Sequence, residues 1–161
     1  MPLIIVFNLS NFIFERDIEG SVLSAARELG IGIVAYSPLG RGFLSATFAT
    51  LDDLSPTDFR RGRPRWSAEN FEQNVQQNFF EYAKKKKCTP AQLALAWLHA
   101  QGDDIFPIPG TKTAARVEEN LGALKVILSA EEAKEVGDAV AVPQGLRYEE
   151  SSMANTFNSR M

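Results

Sequence analysis

Two cations stand at the start of a helix pattern in the stretch "IPGTKTAARVEEN", Ile108 to Asn120. A helix N-terminus carries free N–H groups and a partial positive charge. Lys112 and Arg116 are therefore locally unfavourable there, by a few tenths to ~1 kcal/mol each. An anion held between them and the helix start removes the conflict, and phosphate binds helix N-termini in this way. Gly110 and Thr111 come just before, and Thr113 is the candidate cap. Glu119 lies three residues beyond Arg116, placed to hold its guanidinium. Asn120 lies four beyond, placed to hydrogen-bond a purine edge. Two solvated surface cations are the plainer account of Lys112 and Arg116 taken alone. The whole set makes an anion-plus-purine constellation.

A second stretch, "AYSPLGRGFL", runs from Ala35 to Leu44. Tyr36 ends an apolar run that has strand composition, and ligands of parallel α/β folds gather at such strand ends. Its ring suits stacking on a flat heterocycle. Ser37 and the following backbone are placed to meet phosphate through N–H groups, with Gly40 and Gly42 allowing close approach. A strand end followed by a turn explains the same residues without a ligand.

Other chemistries are missing. No G-x-G-x-x-G opens a helix, since "GIG" at Gly30 lies between a helix and a strand, and no P-loop occurs. His99 is the only histidine and Cys88 the only cysteine, which excludes the usual zinc sites and any internal disulfide. His99 falls mid-helix as a structural residue, and Cys88 as a small packed one. Glu131 and Glu132 are capping acids. A single cysteine fits a reducing compartment and a cytoplasmic protein. The net charge of -3 argues against a general nucleic-acid or membrane-surface binder. The apolar start, "MPLIIVFNLSNFIF", lacks the basic lead of a signal peptide and is too short and interrupted to span a bilayer.

The elements that must carry these residues alternate between strand and helix. Leu3 to Phe7 is expected as a buried strand. Ile18, Val22, Ala25, Ala26 and Leu29 recur at helical spacing and end at Gly30. "IGIVAY", Ile31 to Tyr36, has the continuous apolar character of a parallel strand buried on both faces. Leu39 to Ser67 has no periodicity and holds Arg60, Arg61, Arg63 and Arg65, as functional or mobile connections do. From Ala68, Phe71, Val75, Phe79 and Tyr82 mark one helix, closed by the solvated Lys84–Lys87 run. Thr89, Pro90 and Gln92 open another with a capping box, whose apolar face is Leu93, Ala96, Trp97 and Ala100. "DIFPIPG" is a third strand, a helix follows from Thr113, and a last helix opens at Ser129 with Glu132. After Val142 the pattern becomes a weakly ordered tail. The order β-α-β, long loop, α-α-β-α-α predicts a parallel α/β fold, divided as residues 1–142 and a tail, 143–161. Three strands leave sheet edges unpaired.

Taken together, the two stretches resemble the aldo-keto reductase family. "GIGIVAYSPLGRGFLS" is similar to its seventh barrel strand and following loop, and "IPGTKTAARVEENL" to its eighth strand and phosphate-binding helix. "FRRGRPRWSAENFEQN", "CTPAQLALAWLHAQGDDIFPIPGTK" and "GLRYEESSM" follow the same pattern, especially that of plant and microbial members of the perakine-reductase and auxin-induced-protein type. The resemblance implies the C-terminal part of an eight-stranded (β/α) barrel, strands six to eight, that binds NADP(H) without a Rossmann domain. By position, Tyr36 would stack on the nicotinamide, and Ser37, Leu39, Gly40 and Arg41 would line the pyrophosphate. Gly110, Thr111, Lys112 and Arg116 would surround the 2′-phosphate, and Glu119 and Asn120 the adenine. Many members carry Lys where Gly110 stands.

The parent reaction so implied is NADPH-dependent reduction of small aldehydes and ketones. The family's catalytic Asp, Tyr, Lys and His belong to earlier strands. Tyr36 is not that tyrosine and His99 is not that histidine. The carboxamide-binding Gln of the family aligns with Asn8. The expectation is a truncated reductase that keeps the cofactor-phosphate half of the site. The alternative is a non-catalytic nucleotide-binding or interaction module, with a homo-oligomer or a missing N-terminal half covering the open edges.

Overall fold

The computed structural model describes residues 6–9, 13, 16–20, 22–75 and 77–149. Three parallel strands form one sheet in the order β1-β2-β3. They are β1 (Val6–Leu9), β2 (Gly32–Tyr36) and β3 (Ile105–Ile108). Val6 stands opposite Gly32, and Tyr36 opposite Ile108. The expected first strand ended at Phe7. β1 runs on to Leu9, and Leu3 to Ile5 lie outside the described residues. Pro107 sits in β3, which pairs on one side only among the described residues, where a missing N–H is tolerated.

β2 departs from the expectation of burial on both faces. Ile33 and Ala35 are fully buried, while Gly32, Val34 and Tyr36 are only half-buried. The helices cover the Ile33 side. On the other side, Phe106 and Ile108 of β3 are 51% and 49% exposed. The sequence is apolar on both faces of a sheet that these residues cover on one.

The first helix is shorter than its periodicity suggests. A 3₁₀ turn at Asp17–Gly20 precedes α1 (Val22–Glu28). Ile18, Leu23 and Ala26 are buried, whereas Ala25 is exposed and Leu29 is 73% exposed. Leu29 has already left the helix, and the tighter 3₁₀ turn shifts the phase of whatever follows it.

One helix was expected from Ala68, and two are present: α2 (Ala68–Asn74) and α3 (Gln77–Lys85). Ser67 caps α2, and Val75 turns to extended geometry at ψ 118°. Asn74, the last residue of α2 and fully buried, donates its side-chain amide to the backbone carbonyls of Arg65 and Gln144. The lysine run is not wholly solvated either. Lys84 pairs with Glu81 at the surface, but Lys86, half-buried, donates to Glu132 at 2.5 Å.

α4 (Pro90–His99) has the expected capping box between Thr89 and Gln92. Its apolar residues do not form a face. Ala91 and Leu93 through Leu98 are all buried, while Ala100 is exposed. A helix apolar all round lies at the centre of its domain, and α4 packs against β3, α3, α5 (Ala114–Gly122) and α6 (Ala130–Asp138). His99 is its exposed last residue rather than a mid-helix one. Trp97 donates its indole N–H to the Ala133 carbonyl at 2.9 Å, tying α4 to α6 (Ala130–Asp138). α5 (Ala114–Gly122) is capped by Thr113 and α6 by the Ser129–Glu132 box, both as expected. Among the described residues no helix is long and apolar enough to cross a membrane.

Candidate nucleotide site at the strand ends

The carboxyl ends of β2 and β3 lead into the two stretches singled out by sequence. After Tyr36 the chain turns sharply, with Ser37 at φ 55°, Gly40 at 58°, Arg41 at 56° and Gly42 at 111°. Left-handed geometry at Ser37 and Arg41 costs ~1–2 kcal/mol per residue, strain of the kind that collects at functional sites. Gly42 has no alternative, because a Cβ there would meet the Phe48 ring at 2.5 Å. The turn spends much of its backbone on itself. The N–H groups of Gly40, Gly42, Leu44 and Ser45 donate to Ser37, Leu39, Leu39 and Gly42 carbonyls.

Two adjoining clefts open beside the turn. The larger, about 470 Å³, takes in Ser37, Leu39, Arg41, Gly110 and Arg116. The smaller, about 140 Å³, takes in Leu39, Gly110, Arg116, Glu119 and Asn120. Seven of the eleven expected residues therefore meet in one connected space. The other four do not line it. Gly40 is buried beneath the turn, and Tyr36 stands beside it. Thr111 hydrogen-bonds the Thr113 carbonyl at 3.2 Å and shapes the turn into α5, while Lys112 is exposed outside both clefts. Arg116 is the cation of α5 that faces the space. No ion pair joins it to Glu119 among the described residues, so the expected brace is absent.

Sequence reasoning missed Ser45 and Thr47, whose hydroxyls are 3.0 Å apart and line both clefts. It also missed Arg60. This guanidinium lines the larger cleft, donates to the Arg41 carbonyl at 2.8 Å, and lies over the Phe48 and Trp66 rings. The Asp58 carboxylate beside Arg60 is held down to a pKa of about 2, first by the guanidinium hydrogen bonds. Asp53 also lines the cleft, with its pKa lowered by the N–H groups of Thr50 and Ala49.

The long connection is folded on itself. Phe43, Phe48, Trp66 and Phe71 make one aromatic cluster, with Phe43 and Trp66 centroids 4.0 Å apart. Its arginines bind backbone: Arg61 donates to the Leu51, Leu54 and Ser55 carbonyls, and Arg65 to Gly145. The spacing of the arginines carried no sign of this, because carbonyl acceptors are not visible in a sequence.

The tail corrects another expectation. Residues 143–149 form no helix or strand, yet they are docked. Asn74 exchanges two hydrogen bonds with the Gln144 backbone, at 2.9 and 2.7 Å. Arg147 is buried, its guanidinium carbon 4.6 Å from the Tyr36 ring centroid. Tyr148 takes a 2.6 Å hydrogen bond from Arg41. The tail segment Ser151 to Met153, quoted for the resemblance, lies outside the described residues.

The model of the aldo/keto reductase family matches residues 1–141. The aldo-keto reductase yakc (NADP(+)) of Schizosaccharomyces pombe is 47% identical over 143 residues, 86% of this chain and 42% of that protein. The glycerol dehydrogenase of Gluconobacter oxydans superimposes with a TM-score of 0.74 at 25% identity, over 83% of this chain and 41% of that one. An aldo/keto reductase of Klebsiella pneumoniae, solved in complex with NADP and acetate, matches in fold, with a TM-score of 0.60 at 22% identity. That match covers 90% of this chain and 43% of that one. The chain thus spans about two fifths of the length of the relatives it matches.

Proposed function

The chain belongs to the aldo/keto reductase family, and on that premise we propose that it supplies the NADP(H)-phosphate half of a carbonyl-reductase site. The observation that carries the reading is the meeting of Ser37, Leu39, Arg41, Gly110, Arg116, Glu119 and Asn120 around one connected space. Arg116, Glu119 and Asn120 suit an anion and a purine by residue type and spacing, and the family resemblance adds Leu39 and Arg41. Arg116 would take the 2′-phosphate, with Asn120 and Glu119 on the adenine. Ser37, Leu39 and Arg41 would flank the pyrophosphate, and Tyr36 would carry the nicotinamide. The bound cofactor supplies hydride to an aldehyde or ketone. These residues bind and orient it.

In this reading the 161 residues correspond to the last three strands of the family barrel, of the perakine-reductase or auxin-induced-protein type. The half-open apolar face of β2 and β3 supports that, since parallel sheets are ordinarily covered on both sides. The proton-donating Tyr, its Lys, the Asp and the His would lie on other strands. General acid catalysis typically contributes ~10²–10⁴-fold, so these residues alone should show no appreciable turnover of a reactive aldehyde. Titration with NADPH and NADH, followed by protein fluorescence, tests the site. NADPH should bind in preference, and Arg116→Ala should remove the preference. Equal affinity for both nucleotides in the unaltered chain would end the proposal.

The same open sheet face favours a second reading, a non-catalytic module that self-associates. Light scattering separates the two: a clean monomer at micromolar concentration removes this alternative.

A further inference from the structure

Among the described residues two buried side chains are polar or charged, Asn74 and Arg147, and both belong to the docking of one segment. Asn74 holds Gln144 by its backbone. Arg65 holds the Gly145 carbonyl at 3.0 Å. Gly145 sits at φ +82°, where a Cβ would meet the Pro64 carbonyl at 2.9 Å. The chain is thereby delivered to the strand ends. There Arg147 lies against the Tyr36 ring, and Tyr148 sits under Arg41 with its ring centroid 4.8 Å from the guanidinium carbon. Arg63 approaches the same Tyr148 ring at 5.6 Å. Guanidinium groups and rings alternate from Tyr36 through Arg147 and Tyr148 to Arg41.

We infer that residues 144–148 are a strap that sets the Tyr36 ring and the Arg41 guanidinium before nucleotide arrives, with Arg147 the positioning residue for the ring. This rests on the NADP(H) reading of the site. Tyr36 leads into the strained turn at Ser37 to Gly42 and Arg41 lies within it, so their side chains need support from elsewhere. The strap provides it through a ring contact at one and a 2.6 Å hydrogen bond at the other. Side chains already fixed do not have to be ordered on binding, which raises affinity. Only the nicotinamide end of the cofactor, with the phosphate beside it, gains. The adenosine end, at Arg116 and Asn120, is served by α5 and does not touch the strap. Linkage requires the reverse effect: a nucleotide that uses Tyr36 strengthens docking of the strap.

The test uses calorimetric titration with two probes, NADPH and adenosine 2′,5′-bisphosphate, which lacks the nicotinamide end. Arg147→Ala should weaken NADPH by roughly three- to tenfold, between the values of an exposed and a desolvated cation–ring contact. It should leave the bisphosphate unchanged. Arg147→Lys and Tyr148→Phe, milder in packing, should weaken NADPH less and in the same selective way. Amide exchange at residues 144–148 should slow with NADPH and not with the bisphosphate. Equal weakening of both probes would reduce Arg147 to a folding residue and overturn the strap. Tighter NADPH binding by Arg147→Ala would also overturn it, since Arg147 would then occupy the place of the nicotinamide. If the unaltered chain binds both probes and the variants change nothing, the strap alone fails. If it binds neither, the nucleotide site fails and the strap with it.

Discussion

The Arg60 guanidinium closes on Asp58 through two parallel hydrogen bonds, Nε to Oδ1 at 2.9 Å and Nη2 to Oδ2 at 2.7 Å. The same guanidinium reaches the Arg41 carbonyl at 2.8 Å and covers the Phe48 and Trp66 rings. One ion pair thus joins the floor of the larger cleft to the aromatic cluster of the long loop.

That pair sets an acid limit. Asp58 has its folded pKa lowered from 3.8 to about 2. A lowered carboxylate contributes stability above its unfolded pKa and loses it as pH falls through the folded one. The contribution is intact above about pH 4 and declines towards about pH 2. Solvent screening keeps it to about 1 kcal/mol or less. Near-ultraviolet circular dichroism of the aromatic cluster should show a step in this window. Asp58→Asn should abolish the step, and a step that persists in Asp58→Asn would assign it to another carboxylate.

Asn74 should be among the costliest single truncations. Its amide serves the Arg65 and Gln144 carbonyls and the Gln144 N–H, at zero exposure. Asn74→Ala leaves these groups without their partner, at about 2–4 kcal/mol by denaturant unfolding. Limited proteolysis should then cut within residues 143–149 before the remainder unfolds. A cost below about 0.5 kcal/mol, the range of ordinary surface changes, would contradict this account.

Local signals were legible wherever one residue acts on its own neighbours. Thr89 with Gln92, Thr113, and Ser129 with Glu132 marked three helix starts, and each cap is present. Arg116, Glu119 and Asn120 are grouped by helical spacing, and that spacing survives folding. Features made by distant partners were not legible. Asn74, at the end of α2, finds its partner in Gln144, seventy residues away. The arginines from Arg60 to Arg65 read only as part of a functional or mobile connection, because their acceptors are carbonyls and rings. Lys112 was assigned to the site by its charge and its place beside the cap. It stands exposed outside both clefts, in the turn that Thr111 shapes.

Cys88 should be slow to react. Burial raises its thiol pKa, against a smaller lowering by Lys86. The thiolate is the nucleophile, so at about pH 7 little of it is present. Ellman's reagent should label the folded chain much more slowly than the chain in guanidinium. Removing the nearby charge with Lys86→Gln should slow the folded reaction further. Labelling at the unfolded rate would mean that the thiol is open to solvent.

Gly110 offers the sharpest test of the phosphate assignment. It lines both clefts together with Arg116. A Cβ there meets nothing within 4 Å, and its φ is not in the left-handed region. Gly110→Lys is therefore sterically free and should leave thermal stability unchanged or slightly raised, since the unfolded chain loses freedom. The added ammonium would stand beside Arg116 at the expected 2′-phosphate. Arg116 alone cannot pair with all of that group's charge, so the second cation should tighten NADPH by about five- to tenfold, or about 1 kcal/mol. NADH has no 2′-phosphate and should gain little. The gain should shrink as salt is raised, because two exposed charges are screened over about 10 Å at 0.1 M. If NADH tightened as much as NADPH, the added charge would be acting on the pyrophosphate, and Arg116 would belong to that part of the nucleotide instead.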